Sequence, residues 1–262
     1  MSEYSIIAHR GANLYAPQNT LPAFRKALEL QADGLETDVH LTKDGEAVIC
    51  HNYSINETSN GLGKIADRTL KDLKSHDFGR YFSKKFKGTT LPSLDEFLEL
   101  CKAESLKIMN IELKHPRTKG SLIVEKTLEA VRKHGLIDKL LISSFDEKLL
   151  MRAKEIDPEC KTAYLYPGPD SAVRCFFKPP YALVKKIGAD AVHPNVFFVN
   201  KAMVDKFHSM GVKVNVWTVN TEEQIEKMVR CGVDGYITDS PADTREIIER
   251  LLKRRKSFNA SL

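Results

Sequence analysis

The chain has no apolar run near 20 residues and no charged-then-apolar leader, since its first apolar stretch is broken at once by His9 and Arg10. A membrane-spanning helix needs about 20 consecutive apolar residues, so no span is expected, and without a secretory leader the expected location is the cytoplasm. Cysteine is sparse. Cys50, Cys101, Cys160, Cys175 and Cys231 are scattered and odd in number. No pair has metal-ligand or redox spacing, which excludes a disulfide scaffold and leaves buried free thiols in a reducing compartment. No basic stripe interleaved with aromatics stands out, so a nucleic-acid partner is not expected. The net charge of +5 is spread along the chain, apart from Lys253, Arg254, Arg255 and Lys256. That run reads as the frayed end of a last helix, with contact to an anionic surface as the lesser reading.

What is present is enough for a full core. The 262 residues are 42% hydrophobic and 29% charged, and one (β/α) barrel of roughly 250 residues accommodates them without remainder. A short strand, Ser5 to Ala8, is followed by a helix starting at Leu21-Pro22, where Asn19 or Thr20 caps and proline costs no hydrogen bond. Strand-like runs follow at Leu35 to Val39 and Glu46 to Cys50, joined by a Lys-Asp-Gly turn at Lys43 to Gly45. From about residue 53 to 92 the alternation stops. This polar stretch, with one amphipathic turn near Leu70 to Leu73, is too long for an ordinary barrel loop and reads as an insertion. Alternation then resumes to the C-terminus, giving eight strands that precede helices, with Glu46 to Cys50 as an extra. Short β runs alternating with amphipathic helices mean a parallel sheet. Eight units favour closure, so the expected fold is an α/β TIM (β/α)8 barrel, one domain over 1–262 with a small inserted segment.

The ends of the expected strands carry polar residues: His9-Arg10, Glu36 with Asp38, Glu112 with Lys114, Ser143-Ser144, His193, Trp217 and Thr238-Asp239. In a (β/α)8 barrel these positions share the C-terminal face, where active sites are built. Glu36 and Asp38 stand at i and i+2 on a strand and so face one way. Glu112 would complete three hard oxygen ligands, suited to Mg²⁺ or Ca²⁺ rather than zinc. Surface salt bridges with the many lysines are an equal reading of the same three acids. His9 and His51 each follow a short strand. Beside such a cage they suit a general acid and base, although a lone histidine there is more often structural. Arg10 and Lys114 would supply positive charge for an anionic substrate, Arg10 as a bidentate fork. Trp217 could wall the pocket or sit in the core, and His193 is a group behind the site. His40, His76, His115, His134 and His208 are expected to be solvated.

At this point the residues resemble a known family. His9-Arg10-Gly11, Pro17-Gln18-Asn19-Thr20, Glu36-x-Asp38, Lys43-Asp44-Gly45, His51, Leu91-Pro92-Ser93-Leu94, Ile111-Glu112-Leu113-Lys114, Ser143-Ser144-Phe145, Trp217-Thr218-Val219-Asn220 and Gly232-Val233-Asp234-Gly235-x-Ile237-Thr238-Asp239 occur in order over nearly the whole chain. Together they resemble the glycerophosphodiester phosphodiesterase family. The resemblance implies a TIM barrel with an insertion near 53–92. It implies a divalent cation (Mg²⁺ or Ca²⁺, with Mn²⁺ as a further candidate) on Glu36, Asp38 and Glu112, and His9 and His51 as the acid–base pair. The implied reaction is hydrolysis of a small-molecule glycerophosphodiester to sn-glycerol 3-phosphate and an alcohol.

Two positions depart from the family pattern. Gln18 replaces the glutamate of Pro-Glu-Asn-Thr, and Asn52 replaces the aspartate of His-Asp; each keeps the shape of a carboxylate without its charge. The sequence leaves open which histidine is acid and which is base, and whether water or the glycerol 2-hydroxyl attacks. Alternatives are a lysophospholipase D, with Phe176, Phe177, Tyr181, Phe197 and Phe198 holding a lipid tail, or a non-catalytic phosphodiester-binding protein. Headgroup, preferred ion and oligomeric state are not read from these residues.

Overall fold

In the computed structural model the described residues are 4–102, 106–115, 120–166 and 179–259, with the side chains of 255–259 outside the description. Nine strands form one sheet: β1 (Ser5–Ala8), β2 (Gly34–Leu41), β3 (Ala47–Ile49), β4 (Ile108–Leu113), β5 (Leu140–Ser144), β6 (Lys161–Tyr166), β7 (Ala191–Pro194), β8 (Lys213–Val216) and β9 (Gly235–Thr238). Their order is β1-β9-β8-β7-β6-β5-β4-β2-β3, and a further pairing of β1 with β2 closes the ring. All pairings in the ring are parallel; only β3 runs antiparallel, on the far end of β2. The fold is therefore the expected eight-stranded barrel with β3 as the extra strand.

Local sequence explains the elements. The helix Leu21–Glu29 starts where the Thr20 side chain accepts from the Ala23 amide, with Pro22 in its first turn. The helix Glu222–Cys231 opens on a capping box between Thr221 and Gln224, which satisfies two donors a helix start leaves free. Each helix between barrel strands buries one apolar stripe. Phe24 and Phe97, from two such helices, meet edge to face at 4.8 Å. The last helix, Pro241–Asn259, runs six residues beyond the expected Lys253. The strands are buried on both faces, as parallel strands covered by helices must be; all eight residues of β2 are buried, Glu36 and Asp38 included.

The inserted segment follows β3 and builds a small core of its own. Val48, Cys50, Ile55, Ile65, Leu73, Phe78 and Leu91 pack into a cluster separate from that of the barrel. A one-turn helix, Leu70–Leu73, lies at the expected amphipathic turn and is capped by Thr69. The alternating polar surface of this stretch hid its core from the sequence pattern. The segment also holds Arg80-Tyr81-Phe82-Ser83-Lys84-Lys85-Phe86-Lys87, in which exposed cations alternate with aromatics. This short basic and aromatic run corrects the expectation that the chain has none. Cys50, Cys101, Cys160 and Cys231 are buried free thiols; Cys175, Phe176 and Phe177 lie outside the described residues. No helix among the described residues is long and apolar enough to cross a membrane.

Candidate active site

The site begins with parallel register. Asp38 is paired with Glu112 across β2 and β4, one step above the pairing of Glu36 with Asn110. Register and the strand period of two turn Glu36, Asp38, Asn110 and Glu112 into the barrel at its C-terminal end. Carboxylate oxygens of Glu36, Asp38 and Glu112 all lie within 4.8 Å of one another, buried. Ligand oxygens lie about 2.3–2.6 Å from a bound Ca²⁺, so opposite ligands stand about 5 Å apart and this set spans a hard cation without backbone movement. A buried all-oxygen set also matches the ligand preference of such ions, and the three acids fit a divalent cation.

The three carboxyls of the cluster are buried together and bear on one another. Burial, with repulsion from Asp38 and Glu112, pushes the Glu36 carboxyl well above its ordinary value. Burial pushes Glu112 up to about 7, against the pull of Lys114. Asp38 goes the other way. Burial would raise it, but Lys114 and Arg10 hold it far below the usual carboxylate range. The Lys114 ammonium sits 2.7 Å from Asp38 Oδ1 and 2.6 Å from Glu112 Oε1. Those two carboxylates outweigh its burial and keep it charged. Three acids thus share one ammonium and a guanidinium, an arrangement a cation would relieve.

Arg10 follows β1 in the left-handed region (φ 56), and its amide donates to Glu36 Oε2 at 2.8 Å. The next residue, Gly11, also has positive φ, and a Cβ there would stand 2.7 Å from the Ala23 backbone; only glycine lets the chain turn against the first helix. Arg10 Nη1 donates to the Gln18 amide oxygen at 2.6 Å. Its Nε is buried without a hydrogen-bond partner among the described residues and lies 3.6 Å from Asp38 Oδ2. Asn19 supports the same corner by donating to Asp38 Oδ2 at 2.7 Å and accepting from Thr37.

The two histidines reach the cavity from different elements. His9 Nδ1 lies 2.6 Å from Asp239 Oδ1, and Asn13 and Asn220 also donate to that carboxylate. Burial lowers the His9 pKa, partly offset by the hydrogen bond to Asp239. His51 Nδ1 lies 2.6 Å from the amide oxygen of Asn52; burial lowers its pKa to about 4, with Asp38 opposing. Asp239 stands at a strand end in the sequence, but only its distance shows it to be the partner of His9.

His9, Arg10, Glu36, His51, Glu112, Lys114 and Trp217 line one cavity of about 910 Å³, together with Asn52, Tyr53, Ser143, Phe145 and Leu165 among others. Asp38 lies behind them, almost wholly covered. The Trp217 indole meets Phe145 edge to face at 5.8 Å and donates to the His193 carbonyl at 2.8 Å. His193 itself is fully buried, beside Asn215. Two expectations fail here. His40 is buried under the site, with its ring 3.3 Å from the His51 carbonyl. His134 is buried between Asp95 and Glu99. Both are held by specific partners rather than solvated. Tyr181 packs on Phe207 in the barrel core, and neither Phe197 nor Phe198 lines the cavity, so none of the three holds a tail there.

Barrel and cavity together define an enzyme, with two histidines, an arginine, a lysine and a metal-competent acid cluster at the face where this fold does chemistry. The profile of the glycerophosphoryl diester phosphodiesterase family matches residues 9–243. A glycerophosphodiester phosphodiesterase of Caldanaerobacter subterraneus subsp. tengcongensis is 36% identical over 94% of this chain and 98% of its own. One from Bacillus altitudinis is 35% identical with the same coverage. Among solved structures, a phosphodiesterase of Oleispira antarctica in complex with the product sn-glycerol-3-phosphate superposes with a TM-score of 0.85 at 28% identity, covering 94% of this chain and 96% of its own. A putative glycerophosphoryl diester phosphodiesterase of Silicibacter pomeroyi gives 0.87 at 28% identity, covering 95% and 94%. The chain belongs to the glycerophosphoryl diester phosphodiesterase family.

Proposed function

We propose that this chain hydrolyses glycerophosphodiesters to sn-glycerol 3-phosphate and an alcohol, using a divalent cation on Glu36, Asp38 and Glu112. The observation that carries this reading is the pair of histidines, each held through Nδ1 by a named partner, on one cavity with the buried acid cluster. A bound cation supplies Lewis-acid polarisation of a phosphoryl oxygen and offsets developing charge. The Arg10 guanidinium and the Lys114 ammonium, both on the cavity, bind the remaining phosphoryl oxygens. His51 takes a proton from the attacking water as its oxygen bonds to phosphorus, and His9 gives one to the alkoxide that departs, so each bond made or broken has its proton assigned.

The test is hydrolysis of glycerophosphocholine over a Mg²⁺, Mn²⁺ and Ca²⁺ panel, with and without chelator. Release of glycerol 3-phosphate that chelation stops and a cation restores is expected, and loss of either histidine should cost about 10²–10⁴-fold in turnover. Wild-type rates in His51→Ala would overturn the acid–base reading. Thermal stabilisation by the diester without product at any cation would instead indicate a binding protein. Faster turnover of lysophosphatidylcholine than of glycerophosphocholine would move the substrate class to lysophospholipids.

A further inference from the structure

The exposed apolar surface of this protein is not evenly spread. Of nine large apolar side chains exposed among the described residues, eight sit on segments that leave the C-terminal ends of barrel strands, the end that bears the cavity. Only Ile137 lies at the other end. Single exposed apolar residues need no explanation, but a concentration on one face marks an interaction surface.

The densest part is Arg80 to Lys87. Tyr81 is 42% and Phe82 38% exposed, and Phe82 meets Phe86 edge to face at 5.7 Å. Arg80, Lys84, Lys85 and Lys87 are exposed around them, and no acidic residue occurs between Asp77 and Asp95. Lys84, Lys85 and Lys87 have no ion pair among the described residues. The run belongs to the inserted segment, whose first residues, after β3, are His51, Asn52 and Tyr53 of the cavity lining. Leu62, 70% exposed, comes from the same inserted segment, and Leu14, 60% exposed, from the loop after β1.

We propose that this surface docks the protein on an anionic lipid bilayer, with the cations on headgroups, Tyr81, Phe82, Leu62 and Leu14 in the interface, and the cavity facing the membrane. Aromatics at the boundary and cations with apolar stems suit a headgroup layer. The exposed leucines distinguish this occupant from a nucleic acid, which would use the cations and aromatics but gain little from aliphatic chains. A second copy is disfavoured, because two surfaces with unpaired like charge repel. The docking is a property beyond the hydrolysis proposed above and is read out separately from it.

The experiment is co-sedimentation of the full chain with vesicles of phosphatidylcholine, alone or mixed with phosphatidylglycerol. Binding to the mixed vesicles, falling with salt, is expected, with little to the neutral ones. Each cation strengthens partition about fivefold, so the triple variant Lys84→Gln/Lys85→Gln/Lys87→Gln should bind on the order of a hundredfold more weakly. Its hydrolysis of soluble glycerophosphocholine should be unchanged. Phe82→Ser, which keeps every charge, should also weaken binding and serves if the triple variant does not fold. Equal binding to neutral and anionic vesicles, or undiminished binding by both variants, would overturn the proposal. So would loss of binding in Lys253→Gln/Arg254→Gln, or tighter binding to a single-stranded oligonucleotide than to the vesicles.

Discussion

The amide of Asn52 presents its oxygen to His51 Nδ1 at 2.6 Å and donates from Nδ2 to Glu57 Oε2, also at 2.6 Å. A carboxylate accepts and cannot donate, so Glu57 fixes which end of the amide faces the imidazole. His51 must then carry its hydrogen on Nδ1, leaving the Nε2 lone pair free. His9 has a carboxylate partner in Asp239, which favours an imidazolium more than a neutral amide does. This asymmetry underlies the roles proposed here, with His9 as acid and His51 as base.

Asn52→Asp should move the acid limb of the pH profile. His51 serves as a base only when neutral, and burial holds its pKa to about 4, so wild-type kcat/KM at saturating cation should fall only on approach to that pH. An adjacent carboxylate favours the charged ring and raises its pKa by about one unit or more. The variant therefore loses activity at higher pH than wild type. Coincident acid limbs would show that Asn52 does not tune this histidine.

Glu57→Ala should lower kcat by roughly tenfold, the low end of the cost of losing a group that orients a reacting side chain, with little change in KM. The freed amide can turn its Nδ2 toward the ring and favour the other tautomer. An aspartate cannot present a donor, so Asn52→Asp should restore kcat in the Glu57→Ala background. A merely structural role for Glu57 would lower melting temperature without that rescue.

Cation binding should depend on pH through Glu112. Without a cation its pKa is about 7, so below that value the acid is protonated and a proton must leave before the oxygen can act as ligand. Lowering the pH from 8 to 6 should therefore weaken Ca²⁺ or Mg²⁺ affinity about tenfold. Calorimetric titration at the two pH values measures this, and proton uptake by the buffer should accompany binding at the lower one. Glu112→Gln removes this titration and should give weaker binding, whose remaining pH dependence is that of Glu36, also raised by burial.

The barrel was legible because its signals are local and repeated. Short β-branched runs alternate with amphipathic helices, and polar residues recur at strand ends such as Glu36-x-Asp38 and Glu112-x-Lys114. What stayed hidden depends on contacts distant in sequence. Asp239 pairs with His9 across 230 residues, and no spacing rule signals it. His40, near the end of β2, reads as a surface histidine, yet Val48 of β3 pairs with it and the Tyr53 ring covers it. The insertion reads as polar because its small core is drawn from single apolar residues, Ile55, Ile65, Leu73 and Phe78, scattered through a polar stretch. Glu57 has no spacing that marks it, and only its distance to Asn52 gives it a partner.

Lys114 offers a test in which stability and cation affinity move in opposite directions. Its ammonium occupies the oxygens of Asp38 and Glu112 that a cation would use. In Lys114→Met these carboxylates lose their compensating charge. Breaking a buried pair by removing one partner costs about 3–5 kcal/mol, so the cation-free variant should melt well below wild type. Because no ammonium competes, the variant should bind Ca²⁺ more tightly, and the cation should raise its melting temperature by more than it raises that of wild type. KM for glycerophosphocholine should increase, since one positive contact to the phosphoryl group is gone. Scanning calorimetry with and without Ca²⁺, beside steady-state kinetics, reads all three effects. Weaker cation binding in Lys114→Met would mean that the lysine helps hold the acids in place and does not compete for them.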